Sequence, residues 1–332
     1  LNQLFPEFIE EYLNDLTFKG RKESTIKRYI YDLNDFSYWL QKHRATTNDI
    51  NWKSITKEEL NLFFVHLIED RKYNVKTVRR IHSVLRQLAS YRSYLGSSEL
   101  HPIKEIEAPE LTFQILHESE WISAQERSIL LETASSTVGL SDQQKETFPF
   151  YKERNEFIIR LFLNYGLNLH EVHELSMNHI KFERNQIEIN QEKNSRIITL
   201  QESDKKLAYH YFKKIPEPVR PRYYSDDPFF VAFDFKRKTF HWSYTFDQPK
   251  RMSMIAIQKM LRQEVSRSNL RKGISAQTLR NTFILSSLLE THSPEDLIKS
   301  IGYTTPLSVK RYLSTVDSLS KIQIEQLTLS GA

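Results

Sequence analysis

The chain has no cysteine, which removes disulfides, thiolate metal sites and thiol nucleophiles together and fits a reducing compartment. Glycine is scarce, seven residues in 332, and neither GxGxxG nor GxxxxGK occurs, so a nucleotide-phosphate loop is not expected. No apolar run is long enough to cross a bilayer. The opening LNQLFPEFIEEYL is acidic and amphipathic, without the basic-then-apolar order of a signal peptide. A cytoplasmic chain with no membrane partner, no metal and no cofactor is the expectation. Hydrophobic residues make up 39%, aromatics 12% and charged residues 27%, a globular composition. The net charge of +5 permits a nucleic-acid partner without establishing one.

The first third reads as helix. Residues 24–40 repeat Ile26, Ile30, Leu33, Phe36 and Leu40 at a 3.6-residue period, with Ser24 placed as cap. Thr56 and Glu59 form a capping-box pattern before Leu60, Phe63, Phe64 and Leu67. Residues 74–95 turn Val78, Ile81, Leu85 and Leu88 to one side, and Lys76, Arg79, Arg80, Ser83 and Arg86 to the other. From Arg71 to Arg92 there are seven Lys or Arg and no acid. A solvated face is the plain reading of such a run. A face of one sign is less usual, because surface helices mix signs for i,i+4 pairing, and phosphate contact is the reading preferred here.

Residues 101–113 carry two prolines and no helical period, as expected where a chain passes between domains. Ser123 and Glu126 then open a helix with another capping box. Residues 152–180 read as a helix, a break at Gly166, and a second helix. IEINQEKNSRIITL (187–200) alternates about a polar turn, a β-hairpin pattern. A helix over 203–214 follows. The aromatic, basic stretch 223–251 reads as short strands and loop, more core than base contact. Ser253 caps a further helix, and Pro306 suits the first turn of the short helix holding Tyr312. That tyrosine is one of sixteen and by itself reads equally as a nucleophile, a phosphate-facing hydroxyl or an ordinary tyrosine.

Taken in order, these segments resemble the tyrosine recombinases, the phage-integrase superfamily. ESTIKRYIYDLNDFSYWL, SITKEELNLFFVHL and VKTVRRIHSVLRQLASYRSYL look like the helical core-binding jaw of a DNA clamp. WISAQERSILLETA looks like the opening of the catalytic domain, and YGLNLHEVHELSMNHIKF is similar to the family's Gly-Leu-Arg-x-x-Glu-Leu box. The hairpin, SAQTLRNTF, IGY and a tyrosine nine residues beyond Tyr303 follow in family order. The resemblance implies a mainly α fold with a small β-sheet in two domains. A SAM-like core-binding domain spans 1–108, a linker 109–118, and a mixed α+β catalytic-like domain with a C-terminal tail 119–332.

It also implies a chemistry: a tyrosine oxygen attacks a DNA phosphodiester while two arginines, a histidine, an auxiliary histidine or tryptophan and a hairpin lysine stabilise charge and move protons. Position by position, the first arginine falls on Asn168, with its supporting acid kept as Glu171. The lysine falls on Gln191, with Lys193 two residues on. The histidine falls on Gln277, the second arginine on Arg280, the auxiliary donor on Tyr303 and the nucleophile on Tyr312. Asparagine cannot make arginine's bidentate contact, glutamine cannot carry a proton near neutrality, and one lost transition-state donor costs about 10²–10³ in rate.

The expectation is therefore a chain that is not an enzyme: a sequence-specific binder of double-stranded DNA, such as a phage or mobile-element repressor, with Tyr312 packing beside a phosphate anchor at Arg280. An active, divergent recombinase using Tyr312 is the alternative, with Lys193, His170 or His173 as possible substitutes. An accessory partner of another recombinase is a third reading. Expected DNA contacts are Lys27, Arg28, Lys76, Arg79, Arg80 and Arg86, then Arg196, Lys250, Arg251, Arg280 and Lys310. Residues 318–329 either pack on their own domain or pass to a neighbouring copy. A nucleoid location in a bacterial or phage setting follows from the resemblance, and a small protein or peptide antagonist is left open.

Overall fold

The computed structural model describes residues 7–45, 51–96, 101–110, 114–190, 195–290, 298, 300–303 and 307–328. The chain divides into two compact units, Leu1–Thr112 and Phe113–Ala332. No helix among the described residues is long and apolar enough to cross a membrane.

The first unit is built from α1 (Glu7–Phe18), α2 (Glu23–His43), α3 (Lys57–Glu69) and α4 (Val75–Tyr94). Their apolar stripes meet in one core containing Ile9, Leu33, Leu40, Phe63, Val78 and Leu88, as the 3.6-residue spacing requires. Thr56 and Glu59 close the expected capping box on α3, and Asn74 caps α4 through the Thr77 amide. Ser24 is not a cap: α2 starts at Glu23, and Lys22 stands at the cap position without a side-chain bond. Ile103 and Ile106 are buried in the same core, so the proline-bearing stretch after α4 is packed structure rather than free connector.

The second unit opens with Leu116, buried beside Trp121, and α5 (Ala124–Ser135), started by the Ser123–Glu126 box. The central α6 runs Asp142–Tyr165 and begins well before the expected start, because a Ser141–Gln144 box launches it and Pro149 lies inside it. Gly166 ends it at φ 63°, and a Cβ there would lie 2.3 Å from the Phe283 ring. That backbone conformation and that close approach both require glycine. Short α7 (Leu169–Glu174) leads to an antiparallel sheet of β1 (Ile180–Lys181), β2 (Gln186–Ile189) and β3 (Arg196–Thr199). In register, Ile189 faces Arg196.

After α8 (Glu202–Lys214), four two-residue strands, β4 (Phe233–Asp234), β5 (Thr239–Phe240), β6 (Trp242–Ser243) and β7 (Gln248–Pro249), pair in sequence. Phe229, Phe230, Phe233 and Phe240 from this aromatic stretch are core residues, whereas Tyr244 and Phe246 are exposed. Ser253 caps α9 (Met254–Arg267) through the Ala256 amide, and α10 follows at Ala276–Glu290. The tyrosine-bearing helix is Leu307–Ser318, and Pro306 lies outside the described residues. A last helix, Lys321–Thr328, sets Leu327 into a cluster with Ile284, Leu285 and Val309 of its own unit.

Candidate active site

Asn168, Gln277 and Arg280 line one cleft of about 390 Å³ in the second unit. Asn168 reaches it as the cap of α7. Its side-chain oxygen accepts from the Glu171 amide at 2.9 Å, and Glu171 Oε2 accepts from the Asn168 amide at 2.8 Å. Gln277 and Arg280 reach it from α10, three residues apart and so on one face. Arg280 is 7% exposed. It donates to the Ile301 carbonyl at 2.9 Å, lies 5.0 Å from the Tyr303 ring centroid, and keeps a buried Nε with no hydrogen-bond partner.

Tyr312 stands against this machinery but turned inward. Its hydroxyl donates to Asn281 Oδ1 at 2.8 Å and meets Tyr303 Oη at 3.4 Å. The Gln277 amide is at 3.5 Å, at the limit of a hydrogen bond. Asn281 is in turn pinned by Gln277 at 2.7 Å and by the Glu120 carbonyl at 2.8 Å. Tyr312 is 6% exposed. Burial first, and then neighbouring Tyr303, hold its phenol well above the usual tyrosine pKa, against a smaller pull from Arg280 and Arg311. The group is a neutral phenol across the physiological range.

Glu171 does not keep company with a cation from position 168. Arg196 donates to its two oxygens at 2.7 and 2.9 Å, a bidentate pair in which both side chains are buried. The placement follows from strand period: on β3, Arg196 and Ile198 point inward and Ile197 and Thr199 outward. Arg196 presses on Gly302, where a Cβ would sit 2.2 Å from Nη1 at a backbone φ of 71°. Expected at a DNA surface, Arg196 is instead spent on a buried carboxylate. Gln191 and Lys193 lie outside the described residues.

Other expected contacts divide in the same way. Arg251 is half-buried and donates to the His173 and Leu175 carbonyls at 2.7 and 3.0 Å, so it ties elements together. Arg80 is paired with the buried Asp32, and Arg79 donates to the Pro109 carbonyl. Part of the acid-free run is paired from outside: Asp32 meets Arg80, Asp35 meets Arg71 and Glu11 meets Arg92. Lys76 and Arg86 are exposed without an ion-pair partner among the described residues, as is Arg28. Lys27 pairs with Glu23 at 2.6 Å on the surface, and Lys250 and Lys310 are exposed. Arg86 borders a groove of about 350 Å³ with Arg79, Ser83 and Gln87. Of the possible substitutes, His173 is held between the Met252 carbonyl at 2.9 Å and Glu174 at 3.5 Å, while His170 is exposed on α7. Sequence reasoning missed Asn281, which accepts the Tyr312 hydroxyl's hydrogen bond, and Arg262, which also lines the cleft. Asn281 carries a readable signal, four residues after Gln277 on one helix face.

Residues 8–98 match the family described as phage integrase, N-terminal SAM-like domain. A curated relative, tyrosine recombinase XerC of Caldanaerobacter subterraneus subsp. tengcongensis, is 26% identical over 98% of this chain and 88% of its own length. Among solved structures, XerH site-specific recombinase bound to difH substrate in a pre-cleavage complex has a TM-score of 0.63 at 16% identity, covering 94% of this chain and 82% of that one. A lambda integrase dimer bound to a COC′ core site has a TM-score of 0.60 at 13% identity, covering 94% of this chain and 96% of that one. These matches correct the expectation that the chain is not an enzyme: the structural relatives spanning nearly all of it are recombinases and integrases, one held ready to cleave. The mainly α chain with its small β-sheets has the two-domain fold of the tyrosine recombinases.

Proposed function

We propose that this protein is a divergent site-specific tyrosine recombinase acting on double-stranded DNA, with Tyr312 as nucleophile. One observation carries the reading: the Tyr312 hydroxyl is hydrogen-bonded at the edge of the site where Gln277 and Arg280 face a cleft with Asn168, in a fold whose solved relatives include substrate-bound recombinases. The expectation of a regulator rested on lost cleavage and loses that support.

In this reading Tyr312 Oη bonds to a backbone phosphorus, the P–O5′ bond breaks, and the phenol proton ends on the freed 5′ oxygen. One ester replaces another, so no energy source is required. Arg280 supplies a charge-assisted donor to a non-bridging oxygen, roughly twice as strong as a neutral one. Gln277 offers an amide N–H where proton transfer is not available to it. Burial and Tyr303 hold the phenol protonated, so in this reading the nucleophile is dormant until Tyr312 is opened to solvent or DNA. The exposed Lys76 and Arg86 on α4 of the first unit, with Arg28, supply sequence-independent phosphate attraction. Assembly of copies on DNA belongs to the same reading, as with the lambda integrase dimer on its core site.

The test begins with duplexes selected from a randomised library by the full chain, then nicked to trap cleavage. A covalent protein–DNA adduct is expected from the wild type and none from Tyr312→Phe. Absence of an adduct from the wild type on its own selected sites, with binding intact, refutes the proposal.

A further inference from the structure

A phosphoryl group in transit spreads negative charge over its equatorial oxygens, and electrostatic donors aimed there are the largest catalytic term. Arg280 is one such cation. Asn168 is neutral and its side-chain oxygen is already committed to capping α7. Arg196 has both terminal nitrogens bonded to Glu171. A second cation has to come from elsewhere on the cleft wall.

That wall includes α9, which contributes Gln258, Leu261 and Arg262 to the same cleft as Asn168, Gln277 and Arg280. The helix is anchored by its Ser253 cap and by buried Ile257, Met260, Leu261 and Val265. Arg262 is exposed, and its bond is from Nε to the Gln258 carbonyl at 3.3 Å. It forms no ion pair among the described residues, and the nearby Glu264 is bonded to Asn155 at 2.9 Å and Arg267 at 2.6 Å. The terminal fork of Arg262 is therefore uncommitted, and the Nε of Arg280, which lines the same cleft, is buried and unpartnered. Two guanidinium groups with spare donors border one cleft from two helices.

We propose that Arg262 is the second phosphate-holding arginine of this cleft, supplying from α9 the charge that position 168 lacks. This rests on reading the cleft as the strand-cleavage site. Arg262 binds a non-bridging oxygen opposite Arg280 and neither gains nor loses a proton; the bonds formed and broken are those given above.

The experiment uses the full chain and two readouts. Single-turnover adduct formation on the nicked duplex is measured for the wild type, Arg262→Gln, Arg262→Lys and, as an exposed control on the same helix outside the cleft, Lys259→Gln. Titration calorimetry with orthovanadate, a probe of the bare anion site, is run on the wild type and Arg262→Gln. Arg262→Gln is expected to slow adduct formation by about 10²–10³-fold and to weaken vanadate binding about tenfold. Arg262→Lys should recover part of the rate, and Lys259→Gln should leave it unchanged. Wild-type adduct rates in Arg262→Gln overturn the inference and leave strand cleavage standing. No adduct from the wild type, with Arg262-dependent vanadate binding, upholds the anion site and refutes the cleavage reading. No adduct and vanadate binding indifferent to Arg262 refute both.

Discussion

Replacing Arg196 by methionine tests whether the Glu171 pair is a structural joint of the candidate site. The side chains of Arg196 and Glu171 are 6% and 3% exposed, so the change leaves a carboxylate in a dry environment. Its remaining bond is to the Asn168 amide at 2.8 Å. Breaking a buried pair from one side costs about 3–5 kcal/mol, whereas removing both charges together is often close to neutral. Glu171→Gln keeps one acceptor oxygen, sets its NH2 against a guanidinium donor and leaves the buried Arg196 cation unpaired, so a loss of about 3–5 kcal/mol is expected here too. In the double variant the two losses should not add, leaving a coupling of several kcal/mol. Two units of different stability make a single unfolding curve ambiguous. Hydrogen exchange in graded urea, read on peptides covering α6 to β3, isolates the second unit. Losses below about 1 kcal/mol in each single variant, or strict additivity in the double, would refute the reasoning.

Three further outcomes follow from the first unit. The double change Lys76→Glu with Arg86→Glu should weaken binding to any duplex and lower the salt slope, measured by anisotropy, by about 2. Arg80→Glu should instead register as lost thermal stability, since it strands the buried Asp32; equal salt-slope changes in both variants would count against this division. His101 stacks on Trp52 at 3.9 Å, and its Nδ1 accepts from the Ile103 amide at 3.3 Å, which requires the neutral ring. Burial, against a bond to the Trp52 carbonyl, pushes its pKa down to about 4. Between the ordinary histidine value and that number the unfolded chain binds the extra proton. Stability of this unit is then complete above about pH 6.5 and falls as pH drops toward 4. A His101→Gln variant melting with an unchanged pH profile would argue otherwise.

Features set by local chemistry were legible in the sequence. The Thr56–Glu59 and Ser123–Glu126 boxes, the Ser253 cap and the Gly166 stop each depend on residues within one turn, and all appear where expected. The first half of α6 was missed because Pro149 sits inside it, a residue that ordinarily argues against a helix interior. What depends on distant partners was not legible. Arg80 on the one-signed face of α4 is matched by Asp32, 48 residues away, and no pattern on α4 announces that. The inward turn of Arg196 follows from strand period once register is known, whereas its charge alone reads as a DNA contact. Asn168, Gln277 and Arg280 were placed by resemblance and the fold brings them to one cleft. Arg262, on an exposed face of an ordinary amphipathic helix, carries no signal until α9 is docked.

The tyrosine-bearing helix is laced to the opening stretch of its unit. Arg311 grips both oxygens of Glu120 at 2.7 and 2.9 Å and the Gln114 carbonyl at 2.9 Å. Thr315 accepts the Leu116 amide at 2.8 Å. Glu120 also accepts from Asn281, the partner of the Tyr312 hydroxyl, so loosening residues 114–120 disturbs the setting of the phenol as well as the docking of its helix.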